Sequence, residues 1–461
     1  MKSIRRCQHI MSVFLVLFIA GMVTLVVKIQ RESSFYMMNS REHKLGMVYD
    51  RNGDILYDGT LEEGDTSKYP AGHFVDVGNI IGDDKGQMSN TLVARNLDKL
   101  NNYSFSEGLV SQGGKAAIYT TLDHKANQAV YNAFYGNDGC AVAYNYITGE
   151  ILVSTSLPSV DITKGYDDID SFRSGTLLSK TLRRTVPGST QKVSTVLSAL
   201  EIMGADKLLA KSFTCTGKYI NKDGKEIDCH EIYGGHGTLN LQQAVEKSCN
   251  PYFAQLIEDP DLPLSKLISQ YRKLGYAVND DAPGYFSIDG IECEKASTTL
   301  TDPYDFQTQW GCIGQGDTLV SPVQLMMWQS AIANGTGKMT MPHLISKVTD
   351  VKGKVKETAS VNHSGRLFSA DTATAMKQIL RTNGANNYSY LIYGYDLAIK
   401  SGTAQVEEGN KENSLLVGFV DDPDFPVAFC VVVEDRNSTY VKPEYIVQVM
   451  LDSLSADIKT E

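Results

Sequence analysis

Three short groups of polar side chains stand in order along the chain, and together they point to acyl transfer through a serine. They are Ser189-Thr190-Gln191-Lys192, then Ser248-Cys249-Asn250, then Lys400-Ser401-Gly402-Thr403. A serine hydroxyl becomes an effective nucleophile only when a neighbouring base accepts its proton, and the first group pairs serine with such a base. S-x-x-K and K-[ST]-G occur once each, whereas a second S-x-N, Ser360-Val361-Asn362, is interpreted as a chance match in a polar loop. The ordered set is therefore a specific signal.

The first group lies where a helix is predicted to begin. Pro187-Gly188 predicts a turn, and apolar residues at three- and four-residue spacing across residues 193–203 predict the helix. Ser189 and Lys192 would share one helix face, one turn apart, so the amine can reach the hydroxyl. Lysine can accept the proton only if its pKa falls, through burial and a nearby cation such as Lys400. We predict a serine nucleophile with a lysine base; the alternative is a helix N-cap followed by a solvated lysine.

The second group follows a short helix predicted to begin at Thr238-Leu239-Asn240. Pro251 makes the backbone turn or restart there, which can direct Ser248 and Asn250 into a cleft. We expect Ser248 to relay a proton between the base and the leaving amine. Asn250 carries a donor and an acceptor, which suits it to hold a peptide bond of the substrate. Cys249 is interpreted as a packing residue, and the alternative for the whole group is a simple helix-capping cluster.

The third group follows a predicted strand in which Leu397 and Ile399 are the alternating apolar positions. Two further apolar strands are predicted at residues 415–420 and 427–433. Three successive strands indicate an antiparallel sheet, and the K-S-G-T residues are expected on its edge.

The side chains of the third group suit recognition of a carboxylate. Lys400, Ser401 and Thr403 offer a cation and two hydroxyls, and Lys400 is also placed among the catalytic residues. Gly402 would let a ligand backbone approach closely. The backbone N–H groups of Ser189 and Thr403 are the candidates for an oxyanion hole. An ordinary turn at the end of a strand is the alternative.

Length and charge limit the classes of function. A chain of 461 residues can form a large globular domain and a smaller one. The net charge of −11 argues against nucleic acid as a partner, and the chain has no cluster of Lys and Arg that would suggest a basic binding stripe. The three motifs require no metal and no cofactor, so none is predicted.

The N-terminal region predicts a membrane anchor. Residues 10–27 form an almost unbroken apolar run, preceded by Lys2, Arg5 and Arg6. At ~1.5 Å per residue such a helix spans roughly 27 Å, close to the ~30 Å hydrocarbon core of a bilayer. The alternative is a cleaved signal peptide, but the run is long for one and no A-x-A-like cleavage site follows. We interpret the run as a single-pass anchor.

The eight cysteines are scattered and include no C-x-x-C. Cys215 and Cys229 flank a predicted hairpin over residues 216–228, and they could form a disulfide in an extracytoplasmic setting. With His230 and His236 they could also form a zinc site, although the spacing matches no standard zinc pattern. A cross-strand pair of cysteines is the favoured interpretation.

The remaining pattern predicts a small module before a larger domain. A strand, an Asn-Gly turn and a second strand are predicted over residues 46–57, followed by a polar α+β stretch with long loops over residues 59–114. A helix over residues 126–134 and strands over residues 140–144 and 150–156 come next. The boundary between the two units is predicted near residues 118–122.

Several blocks of the chain resemble the class B penicillin-binding proteins, which are membrane-anchored D,D-transpeptidases of peptidoglycan synthesis. Residues 46–53 resemble the opening of the pedestal domain of that family, although Leu45 replaces its usual Arg. Besides the three motifs, the blocks that carry the resemblance are Thr120-Thr121-Leu122-Asp123, Val186-Pro187-Gly188-Ser189-Thr190, His236-Gly237-Thr238, Ile313-Gly314-Gln315-Gly316, Ser321-Pro322 and Ala333-Asn334-Gly335.

The resemblance implies an α+β fold, with an antiparallel sheet flanked by helices, a small N-terminal α+β pedestal and one transmembrane helix. It divides the chain into residues 1–28 (cytoplasmic N-terminus and anchor), 29–118 (pedestal) and 119–458 (transpeptidase domain, outside the membrane). It implies stem peptides ending in D-Ala-D-Ala as substrates and covalent trapping by β-lactams. It also implies pairing with a membrane glycan polymerase of the shape, elongation, division and sporulation (SEDS) group.

Three functions are compatible with these motifs. The leading prediction is transpeptidation, in which Ser189 attacks the penultimate D-Ala carbonyl, D-Ala leaves and an amine of a neighbouring stem peptide resolves the acyl-enzyme. A D,D-carboxypeptidase or β-lactamase would use the same motifs but let water deacylate the serine. The third function is a non-catalytic sensor or scaffold that binds peptidoglycan or β-lactam.

Overall fold

A computed structural model describes residues 2–38, 44–61, 68–70, 72–104, 108–110, 114–406 and 410–458. Helix α1 (Lys2–Met38) opens the chain, and its segment Ile4–Ile29 is long and apolar enough to cross a membrane. None of that apolar segment is buried against the rest of the protein. The predicted apolar run, residues 10–27, lies within it.

The first sheet has the strand order β18-β17-β5-β1-β2. Its strands are β1 (Met47–Tyr49), β2 (Ile55–Asp58), β5 (Ala117–Thr120), β17 (Ile345–Thr349) and β18 (Val355–Thr358). The predicted hairpin is confirmed, because β1 and β2 pair antiparallel and Asp50 accepts backbone N–H groups of the turn from Asn52 and Asp54. Strands β17 and β18 come from beyond the predicted boundary, so this sheet joins chain segments from both predicted units.

In its described residues, the stretch between β2 and β5 contains four short elements joined by loops. They are α2 (Gly78–Ile81), α3 (Leu92–Arg95), β3 (Tyr103–Ser104) and β4 (Gly108–Leu109). Buried apolar side chains on α2 and α3 join the main hydrophobic core.

The second sheet is antiparallel throughout, with the order β20-β21-β22-β6-β7. Its strands are β6 (Gly139–Asn145), β7 (Ile151–Leu157), β20 (Leu397–Val406), β21 (Lys411–Val420) and β22 (Val427–Val433). Strand β20 stands at one end of this order, so the predicted edge position of the K-S-G-T residues is confirmed.

Helices cover both faces of the second sheet. On one face, α4 (His124–Ala133) and α13 (Pro443–Ile458) enclose one apolar cluster with the strands. Side chains of the other face belong to the larger core, which includes α5 (Lys192–Met203) and the fully buried α11 (Pro322–Ala333). The predicted antiparallel sheet with flanking helices is confirmed. Near-continuous burial along β6, β7 and β22 follows from this sandwiched position.

The remaining helices pack around α5 and beside the edge of the second sheet. They are α6 (Ala205–Leu209), α7 (Leu241–Glu246), α8 (Asn250–Ile257), α9 (Leu264–Lys273), α10 (Phe306–Ile313) and α12 (Ala370–Asn387). Helix α7 begins later than predicted, because Thr238 and Leu239 belong to a strand and Asn240 is the N-cap. Its side chain accepts the N–H of Gln243 in a capping box.

Strands β3 and β4 pair with each other, and five more two-stranded ribbons complete the described structure. They pair β8 (Ser212–Cys215) with β11 (Gly237–Asn240), β9 (Lys218–Ile220) with β10 (Glu226–Asp228), β12 (Ala277–Val278) with β15 (Ser297–Thr298), β13 (Tyr285–Ile288) with β14 (Ile291–Glu294), and β16 (Lys338–Thr340) with β19 (His363–Arg366).

The hairpin predicted over residues 216–228 is confirmed as β9 and β10. The two flanking cysteines are close, with their sulfur atoms within 4.8 Å of each other, but they do not face each other across the strands of the hairpin. Cys215 lies on β8, where it pairs with Gly237 of β11, whereas Cys229 lies beyond the end of β10. Both cysteines are free thiols.

Candidate active site

Ser189 lies in a short 3-10 turn, Gly188–Gln191, that runs directly into α5. The hydroxyl of Thr190 donates to the Pro187 carbonyl at 2.6 Å, which holds the turn closed. The Ser189 side chain therefore stands at the N-terminal end of a buried helix, beside strand β20. This is the position that the sequence predicted for the nucleophile.

Lys192 is the centre of the hydrogen-bond network. Its Nζ atom lies 2.8 Å from Ser189 Oγ, 3.1 Å from Ser248 Oγ, 2.8 Å from the Ser248 carbonyl oxygen and 2.7 Å from Asn250 Oδ1. The residue is 1% exposed. Burial first, and the Lys400 cation second, hold the pKa of Lys192 well below its ordinary value. Both effects favour the neutral form of the amine, which is the form that can accept a proton.

Ser248 bridges two amines. Lys400 Nζ donates to Ser248 Oγ at 3.1 Å, the same distance that separates this oxygen from Lys192 Nζ. Lys400 is 2% exposed, and burial lowers its pKa to about 7. Ser248 has a φ of 49°, a left-handed backbone conformation that non-glycine residues rarely adopt. The strain is concentrated at the residue that connects the two lysines.

Both polar atoms of the Asn250 amide form hydrogen bonds within the protein. Its Oδ1 faces Lys192 Nζ, and its Nδ2 donates to the Asp228 carbonyl at 2.9 Å. The amide therefore ties α8 to the end of β10 and holds the base at the same time. The sequence predicted contact with a substrate and did not anticipate these internal contacts.

A close contact within the protein leaves no room for a side chain at Gly402. A Cβ on this residue would lie 2.9 Å from the Pro187 carbonyl oxygen and 3.0 Å from the Thr190 nitrogen. Strand β20 thus packs directly on the turn that carries Ser189. The expectation that Gly402 makes room for a ligand backbone needs revision, because the nucleophile turn occupies that space.

The hydroxyls of the third group are held by residues that the sequence analysis missed. Tyr388 Oη donates to Ser401 Oγ at 2.5 Å, and Arg436 Nη1 donates to Thr403 Oγ1 at 2.8 Å. Arg436 also faces Glu412, with 3.4 Å between Nε and Oε2. Tyr388 ends α12 and Arg436 follows β22, and no sequence pattern connects either residue to the motifs. Only the fold brings them to β20.

Residues of all three motifs line one cleft, with the edge of the second sheet on one side and α8 and α10 on the other. The rings of Phe306 and Trp310 stack in it, with centroids 5.5 Å apart. Several carboxylates also line the cleft, and its wall comprises Ser189, Glu226, Asp228, Cys229, His230, Glu246, Lys247, Ser248, Asn250, Phe306, Trp310, Ile313, Gln315, Ser401, Gly402, Thr403, Gln405 and Glu412. The second S-x-N at residues 360–362 is exposed and lies outside this wall.

A family model for the penicillin binding protein transpeptidase domain matches residues 139–450, which is more than half of the chain and includes all three motifs. The chain belongs to this family. The predicted resemblance is thereby confirmed, and the transpeptidase domain contains both the second sheet and the cleft.

The relatives of this protein that have curated names include peptidoglycan D,D-transpeptidases. Stage V sporulation protein D of Bacillus subtilis is 27% identical over 73% of this chain and 52% of its own length. Peptidoglycan D,D-transpeptidase PbpA of Mycolicibacterium smegmatis is 27% identical over 72% of this chain and 69% of its own. Peptidoglycan D,D-transpeptidase MrdA of Escherichia coli is 26% identical over 63% of this chain and 48% of its own length. The chain spans about half the length of the first curated relatives that it matches.

Solved structures share the fold of this transpeptidase domain protein. The D,D-transpeptidase domain of a peptidoglycan glycosyltransferase from Eggerthella lenta superimposes with a TM-score of 0.74 at 22% identity, covering 92% of this chain and 100% of that one. Penicillin-binding protein A from M. tuberculosis, solved as a ceftriaxone acyl-enzyme complex, has a TM-score of 0.76 at 20% identity, with coverage of 92% and 100%.

Proposed function

We propose that this chain is a serine D,D-transpeptidase that cross-links peptidoglycan stem peptides and is trapped by β-lactams as an acyl-enzyme on Ser189. The observation that carries the proposal is the buried network in which Lys192 Nζ lies within 3.1 Å of both Ser189 Oγ and Ser248 Oγ. Membership of the penicillin-binding transpeptidase family supports the substrate class. The names of relatives called D,D-transpeptidases support the reaction.

Acylation begins with Lys192 as the general base. Its neutral amine accepts the proton of Ser189 Oγ while the oxygen attacks the carbonyl of the penultimate D-Ala. The backbone N–H groups of Ser189 and Thr403 are the proposed donors to the oxyanion, a device that contributes ~10²–10³ in rate per donor. The tetrahedral species then breaks its carbon–nitrogen bond, which leaves an ester on Ser189.

The leaving D-Ala amine needs a proton as that bond breaks. Ser248 is proposed to supply it and to be reprotonated from Lys192, because its Oγ lies 3.1 Å from that amine. Deacylation runs in the opposite sense. An acceptor amine attacks the ester, gives up its proton through Ser248 to Lys192, and Ser189 leaves with a proton returned by the lysine.

Recognition of the terminal carboxylate of the donor is assigned to the third motif. Ser401 and Thr403 present hydroxyls on β20, and the Lys400 ammonium provides positive charge behind them. Arg436 adds a second cation beside Thr403. A carboxylate at the end of a peptide, or on the ring of a penicillin, would accept from these hydroxyls. Asn250 is proposed to contact the substrate after a shift of its amide from Lys192.

We also propose a membrane-anchored arrangement. Residues 1–28 would form the cytoplasmic end and the anchor, residues 29–118 the pedestal, and residues 119–458 the extracytoplasmic transpeptidase domain. The apolar segment Ile4–Ile29 supports the anchor. The resemblance to class B penicillin-binding proteins supports a SEDS-type glycan polymerase as the membrane partner, which would supply the strands that this chain cross-links.

The test uses the full chain in detergent, labelled with a fluorescent penicillin and mapped by mass spectrometry. We expect a stable ester on Ser189 that is absent in Ser189→Ala. Ser198→Ala is the matched control, because Ser198 lies on the same helix and bonds only to the Ser194 carbonyl among its described contacts. Incubation with a donor stem peptide and an amine acceptor should then release D-Ala and form a cross-linked product. Rapid turnover of penicillin, or hydrolysis without cross-linking, would favour the hydrolase; no label on folded protein would favour the scaffold.

A further inference from the structure

Three buried cysteines and one histidine meet beside the active site and take no part in the proposed reaction. Cys215, Cys229 and Cys249 are each at most 2% exposed, and all three are free thiols. With His236 they present four ligand atoms that all lie within 4.8 Å of one another. The Cys229 Sγ to His236 Nδ1 distance is 3.4 Å.

This spacing suits a tetrahedral metal ion. With a zinc–sulfur bond of ~2.3 Å and a zinc–nitrogen bond of ~2.0–2.1 Å, tetrahedral ligand atoms lie roughly 3.5–3.8 Å apart. The Cys229–His236 separation of 3.4 Å is already close to this range. Contraction of the longest separation by about 1 Å would complete the site. Thiolate and imidazole ligands favour zinc over magnesium or calcium, which prefer oxygen.

Four separate chain segments deliver the ligands. Cys215 ends β8, Cys229 follows β10, His236 precedes β11 and Cys249 is the residue before α8. Gly235 packs so tightly here that a Cβ would lie 2.4 Å from the Cys215 carbonyl oxygen, and its φ is 64°. The loop that carries His236 is therefore held against Cys215.

A disulfide explains the cluster less well than a metal does. Three thiols converge, so one disulfide would leave the third thiol beside the histidine unused. The sequence favours a cysteine pair, with Cys215, Cys229, His230 and His236 as the zinc alternative. In the structure His230 is exposed, and Cys249, interpreted from the sequence as a packing residue, completes the set.

We propose that Cys215, Cys229, His236 and Cys249 bind one Zn²⁺, and that this ion positions the S-x-N segment. Cys249 stands between Ser248 and Asn250, whose polar groups face Lys192. A metal bond to Cys249 would fix the residue that lies between these two groups. Asn250 also bonds to the carbonyl of Asp228, next to Cys229, so two of the four ligands adjoin residues of this network.

The metal site is tested by metal analysis of the full chain, purified in detergent under reducing conditions. We expect about one Zn²⁺ per chain, lost in Cys215→Ala and in Cys249→Ala. Cys140→Ala is the matched control, because Cys140 is a buried free thiol on a strand outside the cluster. Exchange with Co²⁺ should give the absorption of a tetrahedral thiolate complex. Folded wild-type protein that takes up neither Zn²⁺ nor Co²⁺ would overturn the site, as would a disulfide within the cluster in the purified protein.

Variants of His236 separate ligation from folding. His236→Cys keeps a ligand and should retain zinc, whereas His236→Ala should bind it at least 10-fold more weakly. Equal zinc affinity in these two variants would contradict ligation by this residue. Circular dichroism of the chelator-treated wild type measures whether the protein stays folded without zinc. This measurement does not depend on any substitution.

The positioning role rests on the proposed function, and its readout is acylation by fluorescent penicillin. Removal of zinc from the wild type should slow acylation at least 10-fold, with recovery on addition of Zn²⁺ but not of Mg²⁺. Unchanged acylation by zinc-free protein would overturn positioning. Absence of acylation in the zinc-loaded wild type would instead contradict the proposed function, and the metal analysis would still decide the site.

Discussion

Lys192 Nζ lies 2.8 Å from Ser189 Oγ, in a position where the lysine residue is 1% exposed. Water would stabilise the ammonium form of lysine, and burial removes that stabilisation. The nearby Lys400 acts in the same direction by repulsion. Both effects favour the neutral amine, within reach of the hydroxyl from which it is proposed to accept a proton.

Replacing Lys192 should remove most of the acylation activity. We expect Lys192→Ala to lower the second-order rate constant for acylation by penicillin by ~10²–10⁴, the range for loss of a general base. Lys192→Arg should be equally impaired, because a guanidinium stays protonated. Lys207→Ala serves as control, because Lys207 is half exposed, pairs with Asp261 and lies outside the cleft wall. A normal rate in Lys192→Ala would show that another group is the base.

The pH dependence of acylation should be bell-shaped. The rate rises as Lys192 loses its proton at its lowered pKa, and it falls as Lys400 loses the charge that attracts the carboxylate of penicillin. Because the pKa of Lys400 is about 7, the alkaline limb should begin near neutrality. Lys400→Arg, which stays charged, should remove that limb. A rate that keeps rising well above pH 7 in the wild type would contradict the role of Lys400.

The two lysines should also be coupled in a measurable way. Lys400 helps to lower the pKa of Lys192 by repulsion. Removing that charge in Lys400→Ala should therefore raise the pKa of Lys192 and move the acid limb of the acylation profile to higher pH. The profile is measured with a β-lactam at several pH values. An acid limb that stays in place or moves to lower pH would show that the amines do not interact.

The contact at Gly402 predicts a change in activity without a loss of fold. A methyl group in Gly402→Ala would press on Pro187 and Thr190 and displace the turn that carries Ser189. Misplacement of a reacting group by ~1 Å can cost ~10² in rate, and a shift of a few tenths of an ångström should lower acylation by roughly 10-fold. Gly365→Ala is the matched control, because no atom lies within 4 Å of the added methyl group. Thermal denaturation of both variants checks folding, and equal acylation rates would contradict the contact.

Arg436 should affect only substrates that carry a terminal carboxylate. Its Nη1 donates to Thr403 Oγ1, and its charge lies beside the proposed carboxylate site. We expect Arg436→Gln to weaken use of a D-Ala-D-Ala donor by about 10-fold and to leave the C-terminal amide of the same peptide unaffected. Equal effects on acid and amide would show that Arg436 only supports the fold of β20.

The sequence by itself determined the chemistry and the secondary structure around it. The S-x-x-K spacing predicted that Ser189 and Lys192 meet, because one helical turn separates them whatever the rest of the chain does. Alternating and periodic apolar residues predicted the antiparallel sheet and its edge strand. These are local relations, and the period of a helix or a strand is enough to establish them.

Tertiary structure decided which distant residues share a contact. The distance from Ser248 to both lysines, the packing of Gly402 on the nucleophile turn, and the approach of Tyr388 and Arg436 all join segments far apart in the chain. The cysteines show the same point, since the sequence placed Cys215 and Cys229 together, with His230 and His236 in the zinc alternative, and only the fold brings Cys249 to them. Burial of Lys192 is likewise a property of the whole fold, and it is burial that lowers the pKa of the base.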